Sequence, residues 1–302
     1  MTQKRNTKSP ASILQRLRNA CVPGQTVKNA QILFVLERFL ARVAGSQYQD
    51  RLVLKGGILL YLMLGQWVRP TEDLDFLALR IPGEAMEQVL RDILAVDAED
   101  GLQFDGAAIT WEDIREDTGY PCRRFTIPYR FGDKHAHFIK LDLSFGDPVT
   151  PGPRPFEVHP ILADFPGGMV LGYPTETLLA EKIETLVVRG LANTRSKDIF
   201  DIWVLSRTQQ GLQLGATAAA LAATATYRHT QLDPGCSALG SGFLSDTRQN
   251  QLWNAYVRSR SLVVPNFPEV MGRVQVFSKP VVGHVLQPGA DAMWNPAASQ
   301  WG

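Results

Sequence analysis

The sequence has little cysteine and no long apolar run. Its 302 residues include Cys21, Cys122 and Cys236, which lie far apart and form no Cys-x-x-Cys pair. This number and spacing exclude a disulfide framework and a cysteine zinc site, and they indicate a reducing compartment. The longest apolar stretches, at 32–36 and 58–64, are too short to span a bilayer, so we expect no membrane partner.

The chain also lacks a secretory signal and a strong net charge. Its first basic residues are not followed by the apolar run that a signal peptide requires. The formal net charge of +1 provides no global field that would attract a nucleic acid or a membrane. With 45% hydrophobic and 20% charged residues, the composition is that of an ordinary globular protein. We expect a soluble, cytoplasmic protein with one large domain or two modest ones.

Locally, the charge is uneven at the N-terminus. Six basic residues precede the first acidic residue, Glu37; they are Lys4, Arg5, Lys8, Arg16, Arg18 and Lys28. A basic leader of this kind can bind a polyanion such as RNA. It can equally be a solvated arm, and the sequence leaves both interpretations open.

Hydrophobic periodicity predicts an α/β half followed by a helical half. In the first half it predicts helices at 11–20, 26–44, 58–65 and 83–101 and strands at 51–57, 72–79, 122–131 and 135–145. In the second half it predicts helices at 175–191, 196–208, 215–227, 245–260 and 267–278. Proline and glycine between 151 and 168 predict an irregular connection, and the last fifteen residues are expected to be frayed.

These elements predict an α+β fold in two parts. An N-terminal α/β domain with a mixed sheet is expected over 1–170 and a helical, bundle-like domain over 171–302.

Two predicted strands place carboxylates at alternating positions. In the strand at 72–79, Asp73 and Asp75 share one face, while Leu74 and Phe76 share the other. In the strand at 135–145, Asp142 lies opposite an apolar face in the same way. If the two strands are neighbours, the three aspartates form one cluster. Such a cluster stays ionised only around cations, whereas a solvated edge strand is the alternative explanation of the pattern.

Carboxylate oxygens are hard ligands that suit Mg²⁺, which binds one or two carboxylates together with substrate phosphates. Two such ions about 3.5–4 Å apart can hold the attacking and leaving oxygens of a phosphoryl transfer. The turn at Gly56 and Gly57, which ends a predicted strand, would let backbone N–H groups approach phosphate without a Cβ in the way. Arg69 is either a further phosphate ligand or an ordinary surface arginine.

Three segments resemble the successive motifs of the AbiEii/AbiGii-type nucleotidyltransferase toxins, in the DNA polymerase β-like superfamily. They are LKGGILLYLMLGQWVRPTEDLDF, IKLDLSF and YPTETLLAEKIETLVVRGLANTRSKDIFDIWVL, within about residues 50–206. The resemblance implies a catalytic set of Asp73, Asp75, Asp142, Lys182 and Asp198, with the first three as metal ligands. It implies a nucleotide site at Gly56, Gly57, Arg69, Thr71 and Lys182. Ile58 departs from the family, in which many members have Ser or Thr.

The resemblance implies a magnesium-dependent enzyme that transfers nucleotides from an NTP to an acceptor. Such an enzyme would be the toxin of a bacterial toxin–antitoxin or phage-defence system, with two Mg²⁺ ions, the tRNA 3′ end as acceptor and a cognate antitoxin as partner. The acceptor could instead be a protein or a small molecule, and a catalytically silent nucleotide-binding module is a third possibility. Asp142 could also take the proton of the incoming hydroxyl. Lys182 is expected at the margin of an apolar helix face, with Asp201 in a structural role.

Overall fold

The computed structural model describes residues 8–115, 121–132 and 136–302, so Lys4 and Arg5 of the basic leader lie outside the described residues. The chain divides into two compact units. The first consists of Met1–Gly146 and Arg154–Gly172, and the second of Asp147–Pro153 and Tyr173–Gly302.

A mixed sheet forms the centre of the first unit. Its described strands are β1 (Leu52–Lys55), β2 (Asp73–Ala78), β3 (Gln103–Phe104), β4 (Thr110–Arg115), β5 (Pro121–Arg130), β6 (His137–Phe145), β7 (Arg154–Val158) and β8 (Gly168–Gly172). They are ordered β3-β5-β6-β2-β1-β8-β7, and β4 pairs with β5. The β2–β6 and β1–β8 pairs are parallel, and the others are antiparallel.

Four helices accompany this sheet in the described part of the first unit: α1 (Pro10–Ala20), α2 (Val27–Ala44), α3 (Gly56–Leu64) and α4 (Met86–Leu94). The first two begin at side-chain caps, since Ser9 accepts from the Ser12 amide and Thr26 from the Asn29 amide. These bonds satisfy amides that have no partner within the helix. The predicted helix at 83–101 is shorter than expected: a 3₁₀ turn at Gly83–Ala85 precedes α4, and α4 ends at Leu94, seven residues before the predicted end.

The core of the first unit uses the apolar faces that alternation predicts. Leu74 and Phe76 of β2 and Leu141 of β6 are fully buried. Phe39 of α2 packs on this face, with its ring centroid 6.4 Å from that of Phe76. The opposite face of the same strands is therefore left for the polar residues.

The expectation of an irregular connection between 151 and 168 is wrong at both of its ends. Strand β7 begins at Arg154 and pairs with β8, which begins at Gly168. The prolines misled the prediction because proline is poorly compatible with a central strand. Pro155 is tolerated here because β7 lies at the edge of the sheet.

Helices dominate the second unit. They are α5 (Thr175–Arg189), α6 (Ser196–Thr208), α7 (Leu214–Tyr227), α8 (Thr247–Ser259) and α9 (Phe267–Leu286). Four of them lie close to the predicted positions. Helix α9 is longer than expected, because it continues through Pro280. The predicted α+β class, with a mixed sheet followed by helices, is confirmed.

The expectation of a frayed C-terminal segment is wrong. Strands β9 (Trp294–Asn295) and β10 (Gln300–Trp301) pair as a small hairpin. Trp294 is only 2% exposed, and its indole Nε1 donates to the Ser206 carbonyl at 2.6 Å. Its ring also lies against Phe277 of α9, with 4.9 Å between centroids. Apolar burial of an aromatic ring thus stabilises a segment whose composition resembles a loop.

None of the helices in the described part of the chain combines the length and the apolar character needed to cross a bilayer.

Helix α2 contains a buried carboxylate in the core of the first unit. Glu37 is fully buried, and its Oε2 accepts from the Ile161 amide at 2.9 Å. Burial raises the pKa of Glu37 to about 7, against the lowering effects of that bond, of Arg38 and of the Tyr61 hydroxyl. The folded state therefore holds this proton more tightly than the unfolded chain does.

We expect Glu37→Gln to stabilise the protein at alkaline pH. The raised pKa of Glu37 contributes to the free energy of unfolding. This contribution is fully present below about pH 4.5 and is lost as pH rises through about 7, so the wild type becomes less stable over this range. A shift of this size corresponds to about 3 kcal/mol above pH 8, and a neutral amide avoids that loss. Denaturant unfolding from pH 4 to 9 measures the difference. The control variant Glu84→Gln, at an exposed position, should show the same pH dependence as the wild type. If the free energy of unfolding of Glu37→Gln also changes with pH as that of the wild type does, the raised pKa of Glu37 is wrong.

Candidate active site

Three aspartates meet on the polar face of the sheet in the first unit. Parallel pairing of β2 with β6 sets Asp75 directly opposite Asp142 and Asp73 opposite Lys140. One oxygen from each of Asp73, Asp75 and Asp142 lies within 4.8 Å of the others, and all three side chains are half-buried. Three carboxylates at such distances repel one another unless cations balance them.

The donor set fits a divalent metal. All three residues offer hard carboxylate oxygens, which are the ligands that Mg²⁺ prefers. The half-buried position reduces screening by water, so a cation there would interact strongly with the cluster. Asp73, Asp75 and Asp142 are thus the described residues that could hold a metal ion.

The two glycines at the start of α3 are required by their neighbours. Gly56 has φ of +70°, and a Cβ on it would lie 1.8 Å from Oδ2 of Asp75. A Cβ on Gly57 would lie 2.6 Å from Oγ1 of Thr71. Any side chain at Gly56 would therefore be strained and would displace the carboxylate. The glycine pair lets the backbone pass directly beside the aspartate cluster.

Arg69 and Thr71 lie beside the same glycines. The position of a Cβ on Gly57 would be 3.0 Å from Nη1 of Arg69. The buried Thr71 hydroxyl donates weakly to Asp73, at 3.4 Å from its Oδ1. The structure therefore groups these two residues with Gly56, Gly57 and the three aspartates.

A basic residue that the sequence did not single out also contacts this cluster. Arg124 of β5 donates from Nε to Oδ1 of Asp142 at 2.8 Å and from Nη2 to Oδ2 at 2.6 Å. This bidentate bond with Asp142 raises the pKa of the guanidinium. Alternation along β5 places Arg124 on one face of the strand, and Gly132-Asp133-Lys134 predicts a hairpin that pairs β5 with β6; this antiparallel pairing is confirmed, although residues 133–135 of the turn lie outside the described residues. The sequence does not give the register that sets Arg124 opposite Asp142.

Lys182 and Asp198 lie in the second unit, within a buried cluster of charges. The Lys182 ammonium is 3.2 Å from Oδ1 of Asp198 and 2.7 Å from Oδ2 of Asp201. Arg195 Nε also donates to Oδ2 of Asp198 at 2.6 Å. Burial acts to raise the pKa of Asp198, but the charges of Lys182 and Arg195 outweigh it and hold that pKa below its usual value.

The position of Lys182 differs from the expected one. The side chain was expected at the margin of an apolar face, yet Lys182 is only 8% exposed. Its ammonium is nearer to Asp201 than to Asp198. A buried ammonium between two carboxylates is a different environment from a solvated lysine, because the ion pairs offset its desolvation. The motif positions Lys182 and Asp198 are thus in contact with each other, on α5 and α6.

Ion pairs engage part of the basic leader. Lys8 lies 3.2 Å from a carboxylate oxygen of Glu99, and Arg16 pairs with Asp164. Arg18 and Lys28 are exposed. Over its described residues, from Lys8 onward, the leader is therefore not one continuous basic surface.

Comparisons with known proteins identify the family of this chain. Residues 38–273 match a family described as "Nucleotidyl transferase AbiEii toxin, Type IV TA system". The chain is thus a nucleotidyltransferase, an enzyme whose substrate is an NTP. More specifically, the chain belongs to the AbiEii toxin family of toxin–antitoxin systems, and the resemblance found in the motifs is confirmed. Membership implies an antitoxin partner.

The fold is shared with a solved structure at low sequence identity. JHP933 from Helicobacter pylori is 14% identical, with a TM-score of 0.52 over 87% of this chain and 95% of its own. An antigenic nucleotidyltransferase-like protein from Paracoccidioides brasiliensis is 16% identical, with a TM-score of 0.37 over 66% of this chain and 89% of its own. No curated protein sequence matches this chain.

Proposed function

We propose that this toxin transfers a nucleotide from an NTP to the 3′ end of tRNA, with Mg²⁺ held by Asp73, Asp75 and Asp142. The observation that carries the proposal is the meeting of these three carboxylates within 4.8 Å beside a glycine pair. Bound there, Mg²⁺ would supply charge stabilisation for the reacting phosphate. Two ions are the number that the resemblance implies.

The residues around the aspartates have complementary tasks in this proposal. Gly56 and Gly57 let the backbone run directly beside Asp75 and Thr71, so that phosphates bound at the cluster would meet main chain and not a bulky side chain. Arg69 and Thr71, beside Gly57, supply a cation and a hydroxyl at the same place. The chemistry requires little covalent participation from the protein, since phosphoryl transfer depends mainly on positioning and charge stabilisation.

In the transfer step, an acceptor hydroxyl oxygen attacks the α-phosphorus of the NTP. The bond from that phosphorus to the bridging oxygen breaks, and pyrophosphate leaves. The hydroxyl proton passes to a carboxylate of the cluster, for which Asp142 is our candidate. Asp142 keeps lone pairs for this task. Arg124 donates one hydrogen bond to each carboxylate oxygen, and each oxygen can accept a further one.

Lys182 and Asp198 enter the proposal through the family motif. We propose that both are needed for transfer. Their mutual contact supports a joint role, since Asp198 fixes the position of the Lys182 ammonium. A compact ammonium is suited to a phosphate-rich substrate.

The tRNA acceptor is supported by the exposed Arg18 and Lys28 of the leader and by Lys4 and Arg5 at its start. Contacts of this kind release counterions and make binding depend on salt. Removal of residues 1–9 is expected to weaken tRNA binding and to reduce its salt slope, while NTP binding stays unchanged. Filter binding at several salt concentrations measures this, and an unchanged slope would mean that the segment makes no phosphate contact.

A transfer assay tests the function as a whole. The protein is incubated with each α-labelled NTP, Mg²⁺ and total bacterial RNA, and the labelled product is separated into RNA, protein and small molecules. We expect label in tRNA, and none in tRNA whose 3′ diol has been oxidised with periodate. Label in protein or in a small molecule would identify that molecule, and not tRNA, as the acceptor. Absence of label with every NTP and acceptor would favour a silent nucleotide-binding module.

A further inference from the structure

A row of charged residues crosses the polar face of the sheet through the aspartate cluster. Cross-strand pairing sets Lys55, Asp75, Asp142, Arg124 and Glu112 opposite one another in this order on β1, β2, β6, β5 and β4. Residues directly opposite in a sheet point to the same side, with Cβ atoms about 5 Å apart. The two neighbouring carboxylates are therefore flanked on both sides by a basic residue.

Arg124 is bound to the cluster more closely than a surface arginine would be. Its two bonds to Asp142, at 2.8 and 2.6 Å, engage both carboxylate oxygens in the fork geometry of a strong charge-assisted pair. The Asp142 side chain is 14% exposed and that of Arg124 is 30% exposed, so water screens the pair only in part. The charge of Asp73 also acts on Arg124.

These contacts have a consequence for a metal ion at the same carboxylates. A divalent cation that binds Asp142 must share its oxygens with the guanidinium or displace it. The positive charge of Arg124 also repels the cation across a few ångströms of partly buried space. Against this, Arg124 holds Asp142 in one orientation and reduces the repulsion among the three acids.

We propose that Arg124 is a positioning residue that sets the metal affinity of the aspartate cluster, holding Asp142 in place and competing with the divalent ion for it. This inference rests on the proposed metal site. By linkage, an ion bound at Asp142 lowers the affinity of Asp142 for Arg124, and Arg124 lowers the affinity of Asp142 for the ion by the same factor. Arg124 thereby keeps the site organised and prevents tight capture of metal alone.

Mn²⁺ binding to the full chain without nucleotide tests the proposal directly. Free Mn²⁺ is measured by electron paramagnetic resonance during titration of the wild type, Arg124→Gln and Arg124→Lys. We expect Arg124→Gln to bind Mn²⁺ about tenfold more tightly, because one nearby positive charge and its two bonds are removed. Arg124→Lys keeps the positive charge but loses the bidentate guanidinium, so its increase in Mn²⁺ affinity should be smaller.

Arg123 provides a matched control on the same strand. It points to the opposite face, where its Nε donates to Asp113 at 3.0 Å and its guanidinium lies 3.9 Å from the centroid of the Trp111 ring. Arg123→Gln removes the same charge one residue away and should leave Mn²⁺ affinity unchanged. A purely structural role for Arg124 would change the melting temperature and not the affinity.

Two outcomes would overturn the proposal, and they are distinguishable. If Asp73→Asn and Asp75→Asn reduce Mn²⁺ binding but Arg124→Gln binds Mn²⁺ no more tightly than the wild type, Arg124 does not compete with the ion for Asp142, and the proposal is wrong. If Asp73→Asn and Asp75→Asn leave Mn²⁺ binding unchanged, the metal site of the proposed function is itself wrong, and the role of Arg124 is lost with it.

Discussion

Asp73→Asn and Asp75→Asn are each expected to reduce nucleotide transfer by about 10³-fold or more. Each change replaces one of the three carboxylates that lie within 4.8 Å of one another by a neutral amide of nearly the same shape. Loss of an anionic ligand weakens metal binding and charge stabilisation together. Initial rates with a saturating acceptor, and relief of growth inhibition if the wild type is toxic, measure the effect.

The stability of the same variants separates loss of function from loss of fold. Because three like charges repel, removing one should leave the melting temperature unchanged or raise it. Asp113→Asn is the control, since Asp113 lies on β4 with its side chain 71% exposed and pairs with Arg123. It should retain full transfer. Retained activity in Asp73→Asn or Asp75→Asn would contradict the assignment of that residue as a metal ligand.

Lys182→Met is expected to lower the free energy of unfolding by about 3 kcal/mol, in addition to any loss of transfer. The Lys182 side chain is 10% exposed, and the side chains of its partners Asp198 and Asp201 are 4% and 1% exposed. Without the ammonium, two buried carboxylates lose an opposite charge that offsets their desolvation. Denaturant unfolding at pH 7 measures the stability, and calorimetry measures NTP binding.

Lys197 serves as the control for this variant, because it lies beside Asp198 on α6 and is exposed. Lys197→Met should change the stability by less than about 0.5 kcal/mol. The double variant Lys182→Met/Asp201→Asn should regain part of the lost stability, since both members of the 2.7 Å pair become neutral. Unchanged stability in Lys182→Met would show that the ion pairs contribute nothing net. In that case, a loss of transfer would indicate a role for Lys182 other than stability.

The sequence predicted those features of the site that depend on local order along the chain. Alternation alone placed Asp73 and Asp75 on one face and Leu74 and Phe76 on the other, because successive side chains of a strand point to opposite sides. The glycine pair was likewise placed correctly at the end of a strand, at Gly56. Helices of the second unit followed from apolar periodicity in the same way.

Two segments were misjudged because composition was read without its surroundings. Pro155 favoured the prediction of a loop, because proline has no N–H to donate to a neighbouring strand. On the edge strand β7 this position has no strand partner on its outer side, so the lack of an N–H costs nothing there. The C-terminal residues also resembled a loop, yet Trp294 packs against Phe277. In both cases, the deciding neighbour lies far away along the chain.

The amino-acid sequence by itself determined the class of fold, the family and the identity of the candidate acids. Tertiary structure decided that β2 and β6 are neighbours and in which register β5 pairs with β6, and hence that Asp75 faces Asp142 and that Arg124 binds Asp142. It also decided that Lys182 is buried between two carboxylates. The reason is physical: backbone alternation is fixed within a few residues, whereas an ion pair depends on distances between atoms that only the folded chain brings together.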